Sequence, residues 1–144
     1  MFESLTKYKD KIAAEKSVGR WAGEKLDKDG RVLSLEVPFV EYCPCVEGFM
    51  DALEKFDKQH PEFRMMKYVR TLQSKKICWG KESMKRADVS HMDDKTVLAL
   101  LMGLMRGELF CPGIIKEYAE EGHLCRWLQR LQDIDAYRAK RKAK

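Results

Sequence analysis

Between Asp93 and Leu131 the sequence reads DDKTVLALLMGLMRGELFCPGIIKEYAEEGHLCRWLQRL, and this stretch lays out three consecutive helices with their start and stop signals. Asp93 or Asp94 supplies an N-cap oxygen for the free N–H groups of a first helical turn. Val97, Leu98, Leu100, Leu101, Leu104 and Met105 then wrap apolar side chains around most of that helix, which places it at the centre of a core. Gly107 loosens its end, and Pro112 is set to open the next helix, where a missing N–H costs little. Ile114, Ile115, Tyr118 and Ala119 give the second helix its inner face, and Gly122 closes it. The third helix turns Leu124, Trp127, Leu128, Leu131 and Ile134 to one side, with Arg126 and Arg130 outward.

The preceding residues add further helices and one extended piece. Phe2, Leu5, Tyr8, Ile12 and Ala13 recur at spacings of three and four, which predicts a helix over residues 2–16. Asp27-Lys28-Asp29-Gly30 is a turn signal, and Val32 to Val37 reads as an extended segment ended by Pro38, which either pairs with an edge around Trp21 or packs as a loop over the helices. Cys43, Val46, Phe49, Met50, Leu53 and Phe56 form a helical stripe opened by Pro44 and broken at His60-Pro61. A helix resumes on Met65, Tyr68, Val69 and Leu72, and Lys75 to Met92 reads as a long connection with one helical turn at Glu82–Arg86. The expected fold is therefore all-α or nearly so: a single compact bundle of five or six helices over residues 1–137, with an irregular N-terminal extended segment and a basic, disordered tail at 138–144.

A chain of 144 residues can bury about 68–70% of the surface that its unfolded form exposes, enough for a real core. No apolar run approaches the ~20 residues that span a bilayer, and the N-terminus lacks the uninterrupted apolar stretch of a secretory signal, so no membrane partner and a cytoplasmic location are expected. Five cysteines without an export signal point to reduced thiols, read mostly as small core residues.

The net charge of +5 is unevenly spread. Residues 126–144 carry seven basic and two acidic side chains, and residues 64–86 carry eight basic side chains against Glu82 alone. Two such regions attract phosphates or acidic partners if the fold joins them. Arg64, Lys67, Arg70, Lys75 and Lys76, with Arg138, Lys140, Arg141 and Lys142, are accordingly the candidate nucleic-acid contacts, and Tyr68 and Trp79 are aromatics able to stack on bases.

The pattern Ala99-Leu100 through Arg106-x-Glu108-x-Phe110-Cys111-x-Gly113, then Gly122, then Arg126-Trp127-Leu128-x-Arg130-Leu131, resembles a bacterial family of small helical proteins catalogued only as a domain of unknown function. Gly107 stands where that motif favours alanine, and Leu109 where a basic residue is common. The resemblance implies a small helical bacterial protein and carries over no catalytic or binding residue.

Arg106, Glu108 and His123 are the candidates for a ligand or anion pocket. The competing structural role is the expected one, because an arginine near a helix C-terminus meets free carbonyls and a glutamate there can cap the helix that follows. Cys43-Pro44-Cys45 with His123-Leu124-Cys125 offers four soft ligands, but zinc pairs are usually two to four residues apart, so no metal and no cofactor are expected. Cys45, at a helix start, is a candidate for a lowered thiol pKa. No HExxH, glycine-rich phosphate loop or GxSxG elbow is present in the sequence. A non-enzymatic protein-interaction or adaptor role, through a protein partner or self-association, ranks first. A nucleic-acid-associated role ranks second, and an enzyme with a site near Arg106 and Glu108 ranks last.

Overall fold

The structure, a computed structural model, describes residues 1–26 and 32–142. It is mostly helical, with one small sheet. The expected five or six helices resolve, among the described residues, into α1 (Glu3–Thr6), α2 (Lys9–Ala14), α3 (Pro44–Gln59), α4 (Tyr68–Ser74), α5 (Lys81–Lys85), α6 (Asp94–Gly107), α7 (Ile114–Glu120) and α8 (His123–Lys142), with 3-10 turns at Pro61–Phe63 and Met65–Lys67. Strands β1 (Gly19–Leu26) and β2 (Val32–Tyr42) pair antiparallel.

Helix α6 is the centre that its sequence predicts. Asp93 caps it, accepting the Thr96 N–H at 3.2 Å, and every residue from Thr96 to Met105 is buried. It packs against α4, α7 and α8. One apolar cluster runs from Phe2 and Leu5 through Phe49, Leu53 and Phe56 to Trp127, Leu128 and Leu131. Trp127, fully buried, meets Tyr118 edge-on at 5.5 Å. Burial of side chains this large dominates the energetics of so small a core.

Four local features differ from the sequence reading. The single helix over 2–16 is two short helices parted at Lys7 and Tyr8, and the Tyr8 ring lies on Gly48 and meets Phe49 edge-on at 6.3 Å. The extended segment continues through Pro38 to Tyr42 and finds its partner around Trp21, which pairs with Val40. Pro38 is tolerated because it falls in a register irregularity, between the Ala22–Phe39 and Glu24–Leu35 pairs, where the ladder is already interrupted. Helix α7 starts at Ile114 behind Gly113, whose φ of +91° makes it, rather than Pro112, the residue that turns the chain into the helix. The turn at Asp27-Lys28-Asp29-Gly30 lies outside the described residues.

The last helix passes the expected boundary at 137 and runs to Lys142. Its end is held in place: Arg138 pairs with Asp94 at 2.7 Å and lies 6.0 Å from the Phe2 ring centroid. The start of the chain is fastened to the same turn of α8, since the Phe2 N–H donates to Asp135 at 2.8 Å and the Phe2 side chain is fully buried.

Candidate functional site

The connection from Lys75 to Met92 is fixed by arginines of α8. Arg126 donates to the carbonyls of Ala87 at 2.8 Å and Lys85 at 3.2 Å, and Arg130 donates to the carbonyl of Met92 at 2.9 Å. These two side chains of the C-terminal motif therefore supply backbone order to a segment that has little of its own. Lys81 and Lys85 are likewise spent, pairing with Glu117 at 2.9 and 2.7 Å, with Glu121 3.1 Å from Lys85.

The rest of that basic block is left facing solvent. Arg64, Lys67, Arg70 and Lys75 line a groove of about 370 Å³, and Lys95 and Thr96 close it from the first turn of α6. None of these five cations makes an ion pair among the described residues, and Asp93 is the one carboxylate in the lining. Arg64 links the two 3-10 turns with φ 50° and ψ 48°, a left-handed conformation that costs energy in any residue but glycine. The N-terminus of α6 points its partial positive charge at the same place. Thr96 is 1% exposed and its hydroxyl has no hydrogen-bond partner among the described residues, a cost that most buried polar groups avoid.

A second, larger groove of about 860 Å³ lies beside the first, lined by Arg130, Arg138, Arg141 and Lys142 together with Asp93, Asp94 and Asp135. Asp93 belongs to both linings, so the two basic regions of the sequence meet at the start of α6. Of the candidates drawn from the sequence, Arg64, Lys67, Arg70 and Lys75 line the first groove and Arg138, Arg141 and Lys142 the second. Sequence patterning missed Lys95, because that residue sits among cap-forming aspartates and reads as part of a helix start. Lys76 and Lys140 are exposed but line neither groove. Tyr68 packs edge-on against Trp79 at 5.4 Å, and Trp79 donates to the carbonyl of Gly103 at 3.0 Å, so these aromatics serve the fold.

Arg106, Glu108 and His123 are not brought together: no hydrogen bond or ion pair joins any two of them among the described residues. Glu108 is the cap of α7, accepting the N–H groups of Gly113 at 2.7 Å and Ile115 at 3.0 Å. Tyr42 donates its hydroxyl to the same carboxylate at 2.7 Å, and burial followed by that bond raises its pKa well above the usual tyrosine range. Arg106 reaches Met66 at 3.5 Å, and His123 shares a 3.2 Å bond with Arg126 beside Tyr118.

Cys43, Cys45, Cys111 and Cys125 are partly buried and pack against the core, and Cys78 is exposed. The Cys45 thiol pKa is raised rather than lowered, because burial and the neighbouring Cys43 thiol outweigh the helix start. Cys43 and Cys45 are 3.0 Å apart, whereas Cys125 turns to the Lys9 carbonyl at 3.6 Å, so the four-ligand set of the two short motifs does not assemble. Met65 and Met84 fill the core, and Met66 is exposed.

No helix among the described residues is long and apolar enough to cross a membrane. Neither a curated protein nor a solved structure matches the chain. One family does, over residues 2–136, and that span takes in every element from α1 to most of α8. The chain belongs to this family, DUF6508, a family of unknown function.

Proposed function

We propose that the protein binds nucleic acid through the phosphate backbone, with the groove at the start of α6 as the contact surface. The observation that carries this reading is the convergence of Arg64, Lys67, Arg70, Lys75 and Lys95 on one groove with no ion-pair partners among the described residues. Cations already paired with carboxylates have little left to offer a phosphate, and these five have no carboxylate partner among the described residues. Arg141 and Lys142 extend the surface across Asp93. With no aromatic ring in the lining of the first groove and Tyr68 and Trp79 committed to each other, the contacts there fix position on a sugar-phosphate backbone, and the exposed Tyr137 of the second groove is the one aromatic ring in either lining. This work belongs in the cytoplasm, where free thiols such as these five persist.

Fluorescence anisotropy of labelled duplex and single-stranded oligonucleotides over a salt series tests the reading. Five phosphate contacts give a slope of log K against log salt of roughly −4 to −5 on duplex DNA. Replacing Arg64, Arg70 and Lys95 with alanine together weakens binding equally on unrelated sequences and flattens the slope. No binding at low salt, or binding that the triple variant retains, sinks the proposal.

A second reading, a protein-interaction surface, is favoured by Leu109 and Phe110, adjacent residues that are 70% and 76% exposed. Sedimentation velocity across a concentration series, with Phe110→Ser as the disrupting variant, checks for self-association.

A further inference from the structure

Helix α3 opens on Cys43-Pro44-Cys45, and two constraints bring the thiols together. Pro44 fixes the backbone between them and holds Cys43 extended, with φ −66° and ψ 159°. The Cys43 N–H donates to the Val18 carbonyl at 2.8 Å, which ties the start of α3 to the segment just after α2. That segment carries Glu15, the residue closing α2. The two sulfurs and a Glu15 carboxylate oxygen lie within 4.8 Å of one another, and none of the three side chains is fully buried.

We propose that Glu15, Cys43 and Cys45 form a zinc site with its fourth position open to water. The donor set selects the metal. Two thiolates are too soft for magnesium or calcium, and a carboxylate oxygen as third donor is too hard for copper(I), whereas zinc accepts sulfur and oxygen in one tetrahedral shell. Two thiolates and one carboxylate leave the loaded centre with a formal charge of −1, which the positive end of the 16-residue helix α3 favours. Zinc–sulfur bonds of about 2.3 Å in a tetrahedron set the sulfurs about 3.8 Å apart. The thiols, 3.0 Å apart, therefore open by less than an ångström as zinc replaces their shared hydrogen. Each loses its proton to solvent, so one zinc ion enters for two protons released. In the sequence the one-residue spacing of Cys43 and Cys45 counts against zinc, and the third ligand, Glu15, lies outside both short motifs.

The test uses the full chain, reduced and stripped with a chelator, then titrated with Zn²⁺ against a chromophoric competitor and separately with Cd²⁺. The expected result is one ion per chain, a thiolate-to-cadmium charge-transfer band in the near ultraviolet, and a higher unfolding midpoint with zinc. Cys43→Ser and Cys45→Ser each weaken binding more than about 100-fold, beyond the range of outer-shell changes, and Glu15→Gln by about 10-fold. Cys78→Ser, at an exposed thiol outside the cluster, changes nothing, and circular dichroism confirms that each variant is folded. Absence of saturable binding overturns the proposal. So does zinc affinity that survives Cys43→Ser, or a Cys43–Cys45 disulfide that persists under the reducing conditions of the titration.

Discussion

The Tyr42 hydroxyl donates to Glu108 at 2.7 Å and accepts the Lys116 N–H at 3.1 Å, so one phenol at the end of β2 and one carboxylate after α6 together cap α7. With the bonds from Gly113 and Ile115 to Glu108, three N–H groups of that helix start are satisfied by side chains from two other elements. Glu108→Ala strands two of them and costs about 1–3 kcal/mol in urea unfolding, whereas Tyr42→Phe costs about 1 kcal/mol. The double variant loses less than the sum, because each change disables part of the same cap.

Stability falls at alkaline pH. Burial holds the Tyr42 pKa well above 10.0 and pushes Tyr118 up to about 12, so in the folded protein both keep protons that the unfolded chain releases. The folded state then binds more protons than the unfolded one, and the stabilisation present below pH 10 is lost progressively as pH rises above it. Unfolding midpoints measured from pH 8 to 12 show the decline, which is shallower in Tyr42→Phe.

Two glycines with the same φ of +91° respond differently to substitution. Gly122 has open space around its Cα, so Gly122→Ala incurs only the left-handed backbone penalty, roughly 1–2 kcal/mol. Gly113 lies under the Trp21 ring, and an added methyl group would overlap it, so Gly113→Ala costs more and displaces the hairpin. Thermal unfolding ranks the pair, and Trp21 fluorescence shifts in the Gly113 variant alone.

Thr96→Val replaces a buried, unpartnered hydroxyl with a methyl group of similar shape. Removing an unsatisfied polar atom raises stability by about 1 kcal/mol, read as a higher urea midpoint with an unchanged slope. Loss of stability instead would show that the hydroxyl has a solution partner, water or ion, on the groove side.

Much of the fold was legible because it is local. Asp93 and the apolar run after it announce α6 in a dozen consecutive residues, and Gly122 marks the end of α7 by the same short-range chemistry. What escaped depends on contacts distant in sequence. The break at Lys7 and Tyr8 goes with a Tyr8 ring seated on the distant Gly48, and Pro38 stays in a strand because β1 opposite it is out of register. The basic groove was half legible: charge clustering marks Arg64 to Lys75, but only the packing of α4 against α6 adds Lys95 and Thr96. Glu15 carried no signal at all, since nothing in the residues around it indicates that two thiols arrive from α3.

The bond from Phe2 to Asp135 spans 133 positions of the chain. During synthesis α1 and α2 emerge well before α8, so although α3 covers part of their apolar surface early, with Phe56 meeting Phe2, the side that α8 covers waits until that helix is made. Docking of α8 then closes the long loop that this bond spans, an entropic cost that slows the step in refolding. A chain lacking α8 leaves uncovered the side of α1 and α2 that this helix packs on, an apolar surface of the kind that chaperones bind.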